Sequence, residues 1–142
     1  MSATLLQTTL SAPAMSTSSA RLWTGRVLTG IAVLFLVFDA TFKLFVSPEA
    51  VAGTVDLGWA EHHLRILAVI QFVCLAVYLV PRTAPLGAVL WTGYLGGAIA
   101  THLRVDNPLF SHTLFPIYVA ALLWGGLYLR DARVRAAVKG QR

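Results

Sequence analysis

Four long apolar stretches dominate the sequence and leave few charged residues between them. They cover Leu22–Val46, Leu64–Val80, Leu86–Leu103 and Phe110–Leu129. A helix rises about 1.5 Å per residue, so about 20 residues cross a hydrocarbon layer of about 30 Å. The second and third stretches reach this length if their helices extend back to Ala60 and on to Arg104. Because the stretches do not alternate in hydropathy, strands of a membrane barrel are excluded. We expect an all-α integral membrane four-helix bundle with up-down topology.

The composition supports a lipid environment. Hydrophobic residues make up 57% of the 142 residues, charged residues only 12%, and the mean hydropathy is +0.72. A typical soluble domain has about 45–50% apolar and about 25% charged residues. A soluble fold of this size cannot bury so much apolar surface, so we expect the lipid bilayer as the main partner.

The positions of the charges predict the orientation. One face receives eight of the eleven basic residues, namely Arg21, Arg26, Arg82, Arg130, Arg133, Arg135, Lys139 and Arg142. The opposite face receives five of the six acidic residues. The positive-inside rule then predicts a multi-pass protein of the cell membrane with both termini in the cytoplasm. We do not expect a nucleic acid as partner, since the basic C-terminal segment has no interleaved aromatic residues.

The ends of the chain differ from its middle. Residues 1–20 are small, hydroxylic and uncharged, which is typical of a disordered tail, and Met15 could serve as the start in place of Met1. Residues 21–131 are predicted to form the four-helix domain. Residues 132–142 are predicted to form a basic cytoplasmic tail that contacts anionic headgroups.

Asp39 and Lys43 place opposite charges inside the first apolar stretch. Their spacing of four puts both side chains on one face of a helix. One interpretation is a local ion pair that fixes the helix in place. The other is a role in binding a ligand or transferring a proton, which is common for charges inside a membrane.

Polar helix ends from several stretches are predicted to meet at the outer face of an up-down bundle. The candidate pocket residues are Asp39, Lys43, Glu61, His62, Arg65, Tyr94, Thr101, His102, Arg104 and Tyr118. Tyr94 would form the floor, and histidine could pass protons to a ligand because it titrates near neutrality. The alternative is that these groups point outward into water and headgroups. We do not expect a bound metal, since there is no HxxxH pair, and the single Cys74 excludes a thiolate cluster.

Several other residues of the apolar stretches are predicted to contribute to helix packing or to hydrogen bonds within the bundle. Gly93 and Gly97 form a GxxxG motif, for which helix packing within the chain is the first interpretation and dimerisation the second. Gly125 and Gly126 offer a matching surface on the fourth helix. Gln71 lies deep in the second stretch and therefore needs a hydrogen-bond partner inside the bundle.

Three segments carry a resemblance to a known family: RVLTGIAVLFLVFDATFKLF, PRTAPLGAVLWTGYLGGAIATHLR and NPLFSHTLFPIYVAALLWGGLYLRD. They resemble the DoxX-like family of small four-helix bacterial membrane proteins over about residues 24–135. The resemblance implies an inner-membrane bundle, and its relatives include small subunits of thiosulfate:quinone oxidoreductases and membrane partners of redox-defence enzymes. It assigns no catalytic residue, so whether the chain is an enzyme stays open.

Two functions follow as expectations. The first is an accessory membrane subunit of a quinone-linked or redox-defence oxidoreductase, with a quinone as candidate ligand and either a partner enzyme or a second copy beside it. The second is a non-catalytic membrane protein, either a structural partner or a small-solute permease-like unit.

Overall fold

A computed structural model describes residues 18–140, and this part of the chain is almost entirely helical. The elements are α1 (Ser19–Leu44), α2 (Pro48–Asp56), α3 (His63–Leu79), α4 (Ala84–Arg104), a π-helical turn (Leu109–Thr113), α5 (Phe115–Arg130) and α6 (Ala132–Val138). No strand occurs between residues 18 and 140, so the all-α expectation is confirmed.

The four longest helices form a ring. Helix α1 packs against α3 and α5, and α4 packs against the same two helices, so α1 and α4 occupy opposite corners. The side chains of Leu36, Tyr78, Trp91 and Leu123 fill the interior and are almost fully buried. The Tyr78 hydroxyl donates to the Leu123 carbonyl over 2.8 Å, which satisfies its polar atom inside this apolar core.

Small residues set the closest approach of α1 and α5. A Cβ added at Gly126 would lie 2.9 Å from the Thr29 amide nitrogen and 3.0 Å from the Gly25 carbonyl oxygen. The expected match of Gly126 with Gly93 and Gly97 is therefore wrong, because Gly126 faces α1. Packing in lipid relies on such close backbone contacts, and here they join the first and last long helices.

Large apolar side chains cover the outside of the ring. Exposed examples are Leu34, Phe38, Ile66, Val73, Val89 and Ile117. A helix of a soluble protein normally presents polar residues on this side. Helix α1 and the segment Leu109–Arg130 are long and apolar enough to cross a membrane, and α3 is a shorter apolar helix.

Two short helices were not predicted from the sequence. Helix α2 begins where the Ser47 hydroxyl accepts a hydrogen bond from the Ala50 amide over 3.2 Å. Pro48 and Glu49 follow in its first turn, where proline has no amide to satisfy and a carboxylate favours the helix dipole. Helix α6 begins similarly, since the Asp131 carboxylate accepts from the Arg133 amide over 2.8 Å. The Arg133 guanidinium also bonds this carboxylate and holds the pKa of Asp131 below its ordinary value.

Some helix boundaries also differ from those predicted from the sequence. The second long helix begins at His63, and not at Ala60, because the chain makes a turn over residues 61–62. Ser19 and Ala20 belong to α1 and not to the predicted N-terminal tail. Residues 1–17 of the predicted tail lie outside the described residues, as do residues 141–142.

Candidate functional site

A cavity of about 360 Å³ lies inside the ring, in the half that contains the end of α1 and the end of α4. Its walls are mainly apolar side chains from the four long helices, including Phe35, Leu36, Leu67, Phe115 and Val119. The rings of Phe35 and Phe115 meet edge to face with centroids 5.3 Å apart, which joins α1 and α5 at the cavity wall.

A polar cluster of Asp39, Lys43 and Gln71 interrupts these apolar walls. The Asp39 Oδ2 atom accepts hydrogen bonds from the Lys43 ammonium and from the Gln71 amide, the latter over 2.7 Å. The Lys43 side chain is 18% exposed and that of Asp39 is 34% exposed, so both charges are partly shielded. The expected ion pair on one face of α1 is present, and both of its members line the cavity.

Gln71 is a polar cavity residue that is absent from the ten predicted pocket residues. Only 1% of its surface is exposed. Because a carboxylate can only accept, the NH₂ group of Gln71 must face Asp39, and the amide oxygen points away from it. This Oε1 atom has no hydrogen-bond partner among residues 18–140. The sequence does indicate that Gln71 is special, because a single glutamine within an apolar helix requires a hydrogen-bond partner inside the bundle.

Three further polar side chains line the cavity from α4: Tyr94, Thr101 and His102. The Thr101 hydroxyl donates to the Gly97 carbonyl over 2.9 Å, which leaves its oxygen able to accept. The Asn107 side-chain amide lies 2.9 Å from His102 Nδ1, which joins the end of α4 to the turn that follows it.

Glycines on α4 provide the space for the cavity. Gly93 and Gly97 both line it, and a Cβ added at either position would meet no described atom within 4 Å. The expectation that this GxxxG motif packs helices together is therefore wrong within the described chain. The same absence of side chains that permits close approach elsewhere leaves an open volume here.

A roof formed by α2 and residues 57–59 covers the cavity. Thr54, Leu57 and Trp59 contribute to its lining. The Arg104 guanidinium donates to the Leu57 carbonyl over 2.6 Å and thereby ties the end of α4 to the roof. Next to this bond, Gly58 adopts a φ of 79°, which favours glycine.

The comparison with protein families agrees with the resemblance seen in the sequence. The model of the DoxX-like family matches residues 27–126, which is most of the chain. The chain belongs to the DoxX-like family. It is accordingly a membrane protein of that family, and its cavity residues, from Phe35 to Val119, all lie within the matched region. No curated protein and no solved structure matches the chain.

In this DoxX-like protein, the ten residues predicted to share one pocket divide into separate groups. The structure brings Asp39, Lys43, Tyr94, Thr101 and His102 together around the cavity. It places Glu61, His62 and Arg65 around a second hollow beside Val46, because residues 61–62 precede α3.

The other two predicted residues, Arg104 and Tyr118, do not line the cavity. Arg104 bonds the roof instead. The Tyr118 side chain is 48% exposed, and its hydroxyl donates to the Phe110 carbonyl over 3.3 Å. No group of three or more potential metal ligands occurs within residues 18–140.

Proposed function

We propose that this DoxX-like protein crosses the membrane four times with both termini in the cytoplasm. Helices α3 and α4 complete the ring between the two longer spans, and their outward side chains are apolar, as at Ile66, Val73 and Val89. A 17-residue α3 is about 26 Å long, which suits a hydrocarbon layer of about 30 Å with slight thinning. Arg82 in the α3–α4 turn lies at the same end of the ring as the basic residues around α6, because Arg133 bonds the Pro81 carbonyl, and this distribution supports the orientation.

Within this arrangement, the protein serves as an accessory membrane subunit that holds a quinone-class ligand for a quinone-linked or redox-defence oxidoreductase. The observation that carries the proposal is the polar cluster, which lies in a cavity with mainly apolar walls. Ligand pockets typically have about 300–1,000 Å³, apolar walls and a few convergent polar groups. A quinone has the matching chemistry, with a flat apolar ring, two oxygen atoms and an apolar tail.

The charges favour a ligand over a purely structural role. Placing an ionisable group inside a membrane is costly, and such groups usually mark functional sites. An ion pair that only fixed α1 could be made along that helix alone. Here Gln71 of α3 adds a second bond to Asp39, and both helices direct these groups to the same cavity.

The first experiment tests the ligand. The full chain, purified in mild detergent and placed in lipid nanodiscs, would be extracted and its bound lipids identified by mass spectrometry. Binding of a decyl-substituted benzoquinone, in both redox forms, would then be measured by calorimetry. We expect a quinone in the extract and saturable binding. Absence of both would overturn the proposal.

Two neighbouring glycines provide a matched pair for this assay. Gly97→Leu places an apolar side chain into the cavity, whereas Gly96 has equally open space around it and does not line the cavity. We expect Gly97→Leu to weaken binding at least tenfold and Gly96→Leu to change it less than twofold. Equal binding by the two variants would show that the ligand lies elsewhere.

A second experiment tests the accessory role. The protein would be isolated from its native membranes in mild detergent after chemical crosslinking, and the attached chains identified by mass spectrometry. The proposal expects an oxidoreductase chain among them. Recovery of the DoxX-like chain alone, or only with copies of itself, would contradict an accessory role.

A further inference from the structure

Helices α3 and α4 touch near their connection and separate toward the cavity. Residues spaced three and four apart share the face of α4 that turns toward α3, namely Gly87, Leu90, Tyr94 and Gly97. At Gly87 the two helices are in close contact, since an added Cβ would overlap the Tyr78 backbone. At Gly97, about 15 Å further along α4, an added Cβ would meet no described atom within 4 Å. A gap therefore opens between the two helices.

The cavity continues through this gap to the outside of the ring. The buried Trp91 marks the side of α4 that faces the core. Gly93 follows two residues later, about 200° around the helix, and so lies on the opposite side. Gly93 nevertheless lines the cavity, as does Gly97. On the other flank of α4, the Trp124 indole of α5 donates to the Thr92 hydroxyl, so the opening lies on the side of α3.

The polar cluster and the gap lie at different depths. Asp39 and Gly97 are about 8 Å and about 11 Å from the ends of α1 and α4 under the roof, whereas Gly93 and the exposed Leu90 lie deeper. The cavity volume of about 360 Å³ is at the low end of the usual range of about 300–1,000 Å³, which suits a polar ring without a long tail. An amphiphile with its ring at the polar cluster would thus extend its tail through the gap toward the middle of the bilayer.

We propose that the gap between α3 and α4 is a tail-binding groove, through which the ligand enters from the lipid. The polar ring lies beside Asp39 and Lys43, and the apolar tail lies over the two glycines, Gly93 and Gly97. The inference rests on the proposed quinone-class ligand and adds its route of entry and the subsite for its tail. The ring can bind in either redox form, because Lys43 can donate and Asp39 can accept. Burial of the tail supplies most of the affinity, since it removes apolar surface from contact with its surroundings on both helices.

A photoreactive ligand tests the position of the tail. A benzoquinone whose decyl chain ends in a diazirine would be added to the full chain in nanodiscs and illuminated, and the labelled peptides identified by mass spectrometry. Excess untagged decyl-substituted benzoquinone displaces labelling at the site but not labelling through bulk lipid. We expect the displaced labelling within residues 66–77 of α3 and residues 86–97 of α4. Displaced labelling confined to α1, α5 or the roof would overturn the inference.

Substitution of Gly93 tests the tail separately from the ring. Gly93→Leu adds an apolar side chain outside the ring, away from the polar cluster. It should weaken binding of the decyl-substituted benzoquinone at least tenfold and change binding of the same benzoquinone without a tail less than twofold. Gly96→Leu is the control and should change both less than twofold, since Gly96 has equally open surroundings and does not line the cavity. Because each ligand is compared between variants in the same lipid, its partitioning into the bilayer cancels.

The outcomes separate this inference from the proposed function. An equal effect of Gly93→Leu on both ligands, or no effect on either, would overturn the groove and leave the quinone-class ligand standing. A wild-type dimer in native mass spectrometry that Gly93→Leu dissociates, with ligand binding unchanged, would assign the gap to a second copy and also overturn the groove. If Gly93→Leu does not fold, the photolabelling of the wild-type chain decides. Failure of the wild-type chain to bind either ligand would instead refute the proposed function.

Discussion

Gln71 of α3 donates a hydrogen bond to Asp39 of α1 over 2.7 Å, although the two residues lie 32 positions apart in the chain. Lys43 reaches the same carboxylate from one turn further along α1. The lysine compensates the charge, and the glutamine connects the two helices. Together the two partners fix the orientation of the Asp39 carboxylate beside the cavity.

This arrangement predicts unequal effects of removing the two charges. Lys43→Ala leaves the Asp39 carboxylate with only an uncharged partner, and we expect a loss of about 2 kcal/mol in the free energy of unfolding. Asp39→Asn should cost less, because Lys43 can extend toward the membrane surface. Unfolding by sodium dodecyl sulfate in mixed micelles measures both values.

The double variant Lys43→Ala/Asp39→Asn is the control for this comparison. It contains no stranded charge and should recover most of the stability lost in Lys43→Ala. Equal stability of the two single variants would mean that the surroundings do not shield the pair.

The contact between α1 and α5 predicts opposite outcomes at two adjacent glycines. A Cβ at Gly126 would lie 2.9 Å from the Thr29 amide nitrogen, whereas a Cβ at Gly125 would meet only the Leu28 side chain at 3.8 Å. Gly126→Ala should therefore destabilise the protein by about 2 kcal/mol through overpacking. Gly125→Ala should be neutral or stabilising by up to about 1 kcal/mol, because alanine favours a helix.

The same detergent titration measures these two variants, and their helical content should stay the same by circular dichroism. A tolerated Gly126→Ala would show that α1 and α5 can separate without cost. A destabilised Gly125→Ala would place that residue in a tighter contact than its surroundings indicate.

The helices were predictable because their signals are local. Apolar stretches of about 20 residues and flanking prolines are sufficient to place the long helices within a few residues. The Asp39–Lys43 pair was predictable for the same reason, since a spacing of four fixes which residues share a face. The need of Gln71 for a partner was also predictable, and only the identity of that partner was not.

The packing between helices and the shape of the cavity depend on contacts that no local sequence pattern specifies. The same residue type, glycine, permits close packing at Gly126 and leaves open space at Gly97, and only the neighbouring helix distinguishes the two. The bond from Arg104 to Leu57 ends on a backbone carbonyl, which has no side-chain signal in the sequence. Helix α2 did have a signal in Ser47, Pro48 and Glu49, but its nine residues are too short to cross a membrane.

The proposed topology predicts accessibility from opposite sides of the membrane. In a Cys74→Ala background, single cysteines would replace Ala52 in α2 and Ala137 in α6, both of which are exposed. A membrane-impermeant thiol reagent should label Ala52→Cys in intact cells and Ala137→Cys only after permeabilisation. Labelling of both positions from the same side would refute the four-span arrangement.

The bond between Arg104 and the Leu57 carbonyl predicts how firmly the roof is held over the cavity. Arg104→Ala removes the bond that ties α4 to the roof, and a hydrogen bond from a charged donor at this exposed position contributes about 1 kcal/mol. We expect amide hydrogen exchange in α2 to become about fivefold faster, while exchange in the core of α3 stays unchanged. Arg65→Ala is the matched control, because Arg65 lies at the same end of the ring but lines only the second hollow. Unchanged exchange of α2 in Arg104→Ala would show that other contacts hold the roof, and an equal increase in Arg65→Ala would trace the effect to the lost positive charge.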